Sequence, residues 1–396
     1  VYNSKKVKEC TELLYRCAKC AACTQDRSTF MPICPAGERY GFEVFYLIGR
    51  NELARSIFEN KINIKSSGLL DKVIYSCTEC RACVEQCSFV TGKDFLECSS
   101  SALRSFLVDL GFVPPRVKEF FENVLNYGNP YGYSKDLRRK LIDELDLEYF
   151  DSSRHEYLLW MGCNATYNDV AKESLKALVE LLKSSGVSFG VLEDEDCCGH
   201  EVLKLGERGL FEELARRNIE EFKKRGVKKI ITLCPHGYNA FRNEYPKVDE
   251  WMRNVEVYHH TQIINKLLKE GRLKAQGVNL RVTYHDPCYL GRYNNIYEEP
   301  REVIKLVGAD LREMPRNRRS SFCCGGGSGG FYTDYLGGGP NDPARIRVRE
   351  ALSTGAEYLV VACPICKIML TAGAEAEGVK DKIKIIDITQ LTTTKT

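Results

Sequence analysis

The sequence lacks three features that would assign it to common functional classes. Its longest apolar runs, residues 157–161 and 358–363, are far shorter than the roughly 20 residues that cross a bilayer, so no membrane span is expected. The formal net charge is only +3, which provides no global field to attract nucleic acid or anionic lipid. No Gly-x-Gly-x-x-Gly fingerprint follows a predicted strand with an acidic residue about 20 positions on, so any flavin is expected to come from a partner protein.

The chain is instead rich in cysteine, with 19 among its 396 residues. Secreted disulfide-rich chains are much shorter, and no secretory pattern precedes Cys10. Thirteen of the cysteines stand in closely spaced runs or pairs, which is typical of metal ligation in a reducing compartment. We therefore expect a cytoplasmic metalloprotein. Cys10 and Cys98 lie outside these patterns and are interpreted as small buried hydrophobic residues.

The N-terminal third contains two cysteine runs of the ferredoxin type. The cysteines are Cys17, Cys20, Cys23 and, after an insertion, Cys34 for the first run, and Cys77, Cys80, Cys83 and Cys87 for the second. In two-cluster ferredoxins the fourth ligand of each 4Fe–4S cluster comes from the other run. We therefore predict that Cys87 completes the first cluster and Cys34 the second. Zinc is the less favoured alternative, because zinc ribbons use two Cys-x-x-Cys pairs rather than two triplets.

An internal repeat follows residue 150. Cys163, the pair Cys197-Cys198 and Cys234-Pro235 recur as Cys288, Cys323-Cys324 and Cys363-Pro364-Ile365-Cys366, at offsets of 125, 126 and 129 residues. A period that holds across three motifs indicates a duplication.

Each repeat alternates predicted strands, such as residues 188–192 and 281–284, with predicted helices, such as residues 170–185. This alternation predicts right-handed crossover units and a parallel sheet with ligands at the carboxyl edge. The predicted fold is a duplicated α/β cysteine-rich domain with parallel sheets, preceded by a mainly helical ferredoxin-like domain with two clusters. The predicted boundaries are 1–113 for the ferredoxin-like domain, 114–150 for a linker, 151–275 for the first repeat and 276–396 for the second.

These motifs together resemble the heterodisulfide reductase family. The Cys-Cys-Gly repeats resemble its B subunit, the ferredoxin pair resembles its C subunit, and their fusion resembles the D subunit. Similar fusions are the K subunit of the membrane-associated sulfite-reduction complex, the iron–sulfur subunits of lactate and glycolate oxidases, and proteins that accept electrons from electron-transfer flavoprotein. The resemblance implies that each complete repeat holds a noncubane 4Fe–4S centre through five cysteines.

Carried over by residue, the resemblance implies one complete centre, formed by Cys288, Cys323, Cys324, Cys363 and Cys366. The first repeat supplies four matching cysteines, which are Cys163, Cys197, Cys198 and Cys234. Its fifth position is Gly237. Three outcomes stay open there, in order of preference: an ordinary four-cysteine cluster, a cluster with water or His236 as a further ligand, or no cluster.

Several other side chains near these motifs are candidates for function. His200 and His285 are interpreted as proton donors to a thiolate product or as hydrogen-bond donors to cluster sulfurs. The glycine-rich segment 325–330 is expected either to cradle an anion or, preferably, to allow close backbone approach. A basic set is expected to dock an acidic partner or to form a solvated face, and comprises Arg316, Arg318, Arg319, Arg345, Arg347 and Arg349.

Two functional hypotheses follow. In the first, the protein is an oxidoreductase subunit that passes electrons through its 4Fe–4S clusters to or from a noncubane centre, which reduces or forms a disulfide-type bond. In the second, it is a non-catalytic relay between a flavoprotein, such as electron-transfer flavoprotein or a hydroxy-acid dehydrogenase, and a quinone- or heme-linked membrane subunit. The expected partners are a flavoprotein, a membrane cytochrome b subunit, and a sulfur-carrier protein or disulfide substrate. A partner subunit would hold the chain peripherally at the inner face of the membrane.

Overall fold

The structure is a computed structural model that describes residues 4–62, 64, 68–87, 92–274 and 277–393. The predicted boundary between the two repeats, at residues 275 and 276, lies outside this part of the chain. Among the helices that are described, none combines the length and apolar character needed to cross a bilayer.

The N-terminal part is helical, as the spacing of its apolar residues predicts. Its α-helices are Ser4–Leu14, Pro35–Tyr40, Leu47–Phe58, Gly68–Tyr75, Ala82–Gln86, Gly92–Glu97 and Leu103–Asp109, with 3-10 turns at Ala22–Thr24 and Glu43–Phe45 and a π-helical turn at Cys98–Ala102. Helix Leu47–Phe58 is central because Ala54 and Ile57 are fully buried and Leu47 lines both cysteine pockets of this part.

Cys10 and Cys98 form a disulfide, with their Cα atoms 5.4 Å apart. Both residues are buried, as expected of small hydrophobic side chains, but the bond between them was not predicted. The physical reason is tertiary: both side chains are buried, and the first helix packs close enough to the π-helical turn for the two thiols to meet. The bond closes a segment with a sequence separation of 88 that contains both cysteine runs.

The segment predicted as a linker contains two helices, Pro115–Tyr127 and Asp136–Glu144. The first begins with a proline at its first position and ends at Gly128 in a left-handed conformation (φ 69°). Its buried residues Val117, Phe120 and Val124 lie on one face and pack towards the second repeat. The segment is thus an ordered connector, and its first helix packs against the second of the two repeats rather than the one that follows it in sequence.

The repeats form two four-stranded sheets in which all strand pairs are parallel. The strands are β1 Tyr157–Trp160, β2 Phe189–Gly190, β3 Lys229–Thr232, β4 Glu256–His259, β5 Arg281–Tyr284, β6 Asp310–Leu311, β7 Tyr358–Val361 and β8 Lys384–Asp387. The spatial orders, β2-β1-β3-β4 and β6-β5-β7-β8, are identical. The register is also equivalent, since Leu158 pairs with Ile230 and Thr283 pairs with Leu359. The predicted α/β fold with a duplicated parallel sheet is confirmed.

Helices cover both sheets. In the first repeat they are Cys163–Tyr167, Asp169–Ser184, His200–Lys204, Arg208–Lys224, Pro235–Asn239, Tyr245–Val248 and His260–Lys269, with a π-helical turn at Ala240–Glu244 and a 3-10 turn at Glu250–Asn254. In the second they are Gly291–Asn294, Glu298–Leu306, Gly330–Thr333, Pro343–Ser353, Pro364–Ala376 and Ile388–Thr393, with a 3-10 turn at Arg318–Ser320.

Two of the three cysteine motifs in each repeat follow the carboxyl ends of its central strands. Cys234 follows β3 and is the N-cap of the next helix, and Cys363 has the same position after β7. A proline at the first helical position follows each of these cysteines, because its fixed φ suits a helix start. The order of each sheet reverses between its two central strands, which is where parallel α/β sheets bind ligands.

The glycine-rich segment 325–330 lies where the ferredoxin-like part meets the second repeat. A Cβ at Gly326 would lie 2.4 Å from Ile365, and one at Gly327 would lie 3.1 Å from the carbonyl oxygen of Thr78. These glycines therefore allow the segment to pack closely against Ile365 and Thr78.

Candidate metal centres

The two ferredoxin-type runs form two cysteine-lined pockets. The first pocket is lined by Cys17, Cys20, Cys23 and Cys87, and the second by Cys34, Cys77, Cys80 and Cys83. Each pocket contains three cysteines of one run and the fourth of the other, which is the exchange expected from the spacing. No carboxylate or imidazole occurs among the described lining residues, so the donor set consists of sulfur and fits an iron–sulfur cluster.

The backbone between the cysteines has the same unusual conformation in both runs. Lys19 and Ala21 have φ values of 54° and 56°, and the equivalent residues Glu79 and Arg81 have values of 47° and 61°. A left-handed conformation costs roughly 1–2 kcal/mol for a residue with a side chain. Two such residues in each run turn the chain tightly enough for three thiols to face one pocket. Strain of this kind is typical of a ligand-binding loop.

The two pockets differ in exposure. In the first, Cys20 is exposed and Cys17 and Cys87 are half-buried, whereas all four cysteines of the second are buried. Burial raises the pKa of Cys34 to about 11 and raises the pKa of Cys83 well above its usual value. Bound cations would be needed to hold these thiols as thiolates, which is the role of the irons in a cluster.

The five cysteines of the second repeat converge, as the resemblance implies. The sulfur atoms of Cys324 and Cys366 are 3.5 Å apart, and Cys323 interacts with both Cys288 and Cys324. The Cys363 sulfur accepts a hydrogen bond from the backbone N–H of Cys366 at 3.5 Å. All five side chains belong to residues that are only 1% to 8% exposed, so this site is sealed from solvent.

His285 lies beside this site. One of its ring nitrogens is within 4.8 Å of the sulfur atoms of Cys324 and Cys366. Nε of Arg347 donates to Nδ1 of His285 at 3.1 Å, so the ring proton is on Nε2, which is the donor that His285 can offer to a sulfur. Burial and the Arg347 guanidinium lower the pKa of His285 to about 3. A neutral ring at physiological pH favours the hydrogen-bonding interpretation over the proton-donor interpretation.

The cysteines of the first repeat are arranged differently. Cys163 interacts with Cys197, and Cys197 interacts with Cys198. Cys234 instead interacts with Cys363 of the second repeat, and this hydrogen bond is the main cause that raises the pKa of Cys234. Cys163, Cys198 and Cys234 are half-buried, so the site is more open than the second.

The missing fifth cysteine of the first repeat leaves little space. A Cβ at Gly237 would lie 3.3 Å from Oγ1 of Thr232 and 3.9 Å from Cδ1 of Trp160. Trp160 is 2% exposed and packs edge to face on Phe241. The indole thus occupies the region next to the absent ligand.

His200 lies in a buried hydrogen-bond network. Among the residues that the structure describes, its partners are Glu201 and Asn239 and not a cysteine thiol. Its Nδ1 is 3.0 Å from Glu201, its Nε2 is 3.3 Å from Nδ2 of Asn239, and Glu201 is also 3.4 Å from Nδ1 of His236. His236 in turn hydrogen-bonds Cys234. His200 therefore reaches the cysteines through Glu201 and His236. Glu201 was not predicted; its only sequence signal is an acidic residue directly after Cys-Cys-Gly-His.

Thiol contacts connect the pockets to the repeats. Cys80 of the second pocket interacts with Cys323 of the five-cysteine site, and this interaction is the main cause that raises the pKa of Cys80. Cys323 also interacts with Cys288 of its own site. On the other side of the five-cysteine site, Cys363 interacts with Cys234 of the first repeat. The cysteines thus form one series, from the exposed first pocket through two sealed sites to the half-buried first repeat.

Two of the six arginines in the predicted basic set do not lie on the surface. Arg316 and Arg347 are buried, and their guanidinium groups lie 3.0 Å and 2.8 Å from Glu350. The remaining members pair with Glu298, Glu313, Glu85 and Glu377. All six arginines therefore form ion pairs within the chain. For the buried residues Arg316 and Arg347, neither the docking role nor the solvated face applies.

Two family models match the chain. A model described as "Cysteine-rich domain" matches residues 157–242 and 282–371, and a model described as "4Fe-4S dicluster domain" matches residues 13–90. The first match covers both repeats, and the second covers both cysteine runs.

Three similar proteins differ in how much of their own length the chain covers. "EtfAB:quinone oxidoreductase" of Syntrophomonas wolfei is 36% identical over 339 residues, which are 81% of this chain and 46% of that protein. "Probable membrane-anchored ferredoxin" of Chromohalobacter salexigens is 36% identical over 333 residues, which are 81% of this chain and 49% of the relative. The chain thus spans about half the length of these two. The D subunit of the dihydromethanophenazine:CoB--CoM heterodisulfide reductase of Methanosarcina barkeri is 32% identical over 337 residues, which are 80% of this chain and 76% of the relative.

Proposed function

The chain belongs to the family of iron–sulfur oxidoreductase subunits that includes the heterodisulfide reductase D subunit, and from that premise we propose that it passes electrons between its ferredoxin-type pockets and the second repeat. The observation that carries the proposal is the contact between Cys80 of the second pocket and Cys323 of the five-cysteine site. Because both sites are buried, an electron can pass between them only through the protein interior.

The sulfur donor sets suggest which groups are bound. We assign 4Fe–4S clusters to the first and second pockets, a noncubane 4Fe–4S centre to the five cysteines of the second repeat, and a further iron–sulfur cluster to the four cysteines of the first. When bound, these groups would supply one-electron transfer. The thiolates of the chain hold them, and Glu201, His236 and His285 orient hydrogen bonds around them.

The burial of the second repeat supports the relay hypothesis. Its five cysteines are at most 8% exposed, whereas Cys20 of the first pocket is exposed and three cysteines of the first repeat are half-buried. Exchange with partners is therefore favoured at the two ends of the series. We propose that a flavoprotein exchanges electrons at one end and a quinone- or heme-linked membrane subunit at the other, in line with the name of the relative EtfAB:quinone oxidoreductase.

One contact favours a second candidate function, the reduction or formation of a disulfide-type bond. Cys234 is half-buried and touches the sealed Cys363, so a sulfur substrate that enters at the first repeat would approach the five-cysteine site there. In this version the first repeat is the binding side, and the second repeat supplies or removes electrons.

Metal analysis and spectroscopy of a matched cysteine pair test the proposal. Anaerobically purified protein with all four sites occupied should contain about 16 iron and 16 sulfide, whereas about two to four zinc without visible absorption would refute it. An unusual paramagnetic signal of the second repeat should vanish in Cys324→Ser and persist in Cys198→Ser.

Electron exchange separates the two functions. Reduced electron-transfer flavoprotein should reduce the bound clusters, and quinone-containing membranes should reoxidise them if the protein is a relay. Reoxidation by disulfides but not by these membranes would instead support sulfur chemistry.

A further inference from the structure

Two buried arginines next to the second pocket have no carboxylate partner among the residues that the structure describes. Arg50 and Arg292 are only 2% and 8% exposed. Arg50 donates to the carbonyl oxygens of Phe45 and Val73 and to the hydroxyl of Ser76. The hydrogen-bond partners of Arg50 are therefore all uncharged groups.

Arg292 spans the gap between the ferredoxin-like part and the second repeat. Its Nε donates to the carbonyl oxygen of Cys80, and its Nη1 donates to the carbonyl oxygens of Arg319 at 3.2 Å and Ser321 at 2.7 Å. Its Nη2 is buried and has no hydrogen-bond partner within the described part of the chain. One of its donors is thus available to a group that the protein itself does not provide.

This arrangement differs from that of three other buried arginines. Arg138 lies 2.7 Å from Glu195, Arg301 lies 2.7 Å from Asp286, and Arg316 lies 3.0 Å from Glu350. A buried charge without a counter-charge destabilises a protein by several kcal/mol. The chain meets this requirement with a carboxylate at those positions, so the lack of a carboxylate at Arg292 and Arg50 indicates that their counter-charge is an anion of another kind.

The sulfur groups that act on the charge of Arg292 belong to two different sites. Burial lowers the pKa of Arg292, but Cys80, Cys288 and Cys323 outweigh this effect and raise it. Cys80 lines the second pocket, and the other two belong to the five-cysteine site. Arg50, by contrast, acts on Cys34 of the second pocket. Arg292 is therefore placed between two sites, and Arg50 beside one.

We propose that Arg292 is a positioning residue whose charge is shared by the centres of the second pocket and the five-cysteine site, and that it stabilises the reduced state of both. This inference rests on the proposed function. Each added electron makes an iron–sulfur centre more negative, and nearby charge is one of the factors that set its potential. A single cation between two centres raises both potentials together, which keeps an electron transferable from one to the other.

Comparison of the repeats gives the sequence signal for this role. The residue 125 positions before Arg292 is Tyr167, so the first repeat has no equivalent charge. The asymmetry matches the presence of the fifth cysteine in the second repeat only.

The test compares two substitutions of Arg292 by anaerobic redox titration followed by electron paramagnetic resonance. Arg292→Gln retains a hydrogen-bond donor and removes the charge, and Arg292→Lys retains the charge. In Arg292→Gln the reduction equilibrium of both centres should become at least tenfold less favourable, a shift of about 59 mV to more negative potential for one electron. Arg292→Lys should recover more than half of this shift, and the first-pocket centre should not change.

Arg50→Gln is the matched control because it should shift the second-pocket centre alone. Loss of iron from Arg292→Gln but not from Arg292→Lys would also support the shared charge. Unchanged potentials in fully loaded Arg292→Gln, equal shifts in the two Arg292 variants, or loss of iron from both would overturn the inference. Wild-type protein without iron–sulfur clusters would instead refute the proposed function, so the two failures are distinguishable.

Discussion

Replacement of His285 by leucine should lower the reduction potential of the five-cysteine centre. The side chain carries its proton on Nε2 because Arg347 donates to Nδ1, and one ring nitrogen lies within 4.8 Å of the sulfur atoms of Cys324 and Cys366. A hydrogen bond to a charged acceptor contributes about 1.5–3 kcal/mol. Since about 1.4 kcal/mol corresponds to roughly 59 mV for one electron, a bond made fully to the reduced state alone would shift the potential by about 60–130 mV.

The direction of the shift follows from charge. A donor stabilises the more negative, reduced centre, so its loss makes the potential more negative. His285→Gln is the matched control, because its amide accepts from Arg347 and donates an N–H, and it should retain most of the wild-type potential. Anaerobic titrations monitored by electron paramagnetic resonance measure both variants. A shift below about 20 mV in His285→Leu, or a shift to more positive potential, would refute the reasoning, since even one third of the smaller value is about 20 mV.

Three further predictions concern the cysteines. Cys87→Ser should remove the signal of the first-pocket centre and Cys34→Ser that of the second, because each cysteine lies in the pocket of the other run; the reverse assignment would contradict the exchange. Loss of the Cys10–Cys98 disulfide in a double serine variant should lower the free energy of unfolding by about 4–5 kcal/mol, from the chain entropy of a separation of 88, and anaerobic urea unfolding should detect it. Gly237→Cys should leave the iron content and the spectrum of the first repeat unchanged, and a second noncubane signal would disprove this.

The parts of the fold that depend on local pattern could be predicted from the sequence. Strand β5 was predicted at residues 281–284 and is found there. A short run of residues that favour strands, followed by the turn that contains Cys288, defines both of its ends. The helix predicted at residues 170–185 is Asp169–Ser184, since Asn168 caps its first turn with hydrogen bonds to Val170 and Ala171. Strand β2 was predicted at residues 188–192 but comprises only Phe189–Gly190, because Val191 bonds instead to the chain around Tyr149 in an isolated parallel bridge.

The relative burial of the sites could not be predicted in this way. The sequence spacing groups Cys323 with Cys324, but only packing brings Cys323 against Cys80, which is distant in the chain. The contact between Cys234 and Cys363 likewise depends on how the two repeats face each other. The disulfide of Cys10 was missed for the same reason, since its partner is 88 residues away and no short motif links them.

The differences between the repeats form a consistent set. At equivalent positions, the first repeat has Gly237 for Cys366, Trp160 for His285 and Tyr167 for Arg292. These are the fifth sulfur ligand, the neutral hydrogen-bond donor and the buried charge of the second repeat. Loss of the ligand alone would have left a donor and a cation buried without an acceptor, which is costly. Replacement of all three by a glycine and two aromatic residues removes that penalty and fills the space, so restoring the cysteine alone does not restore the environment that the complete site requires.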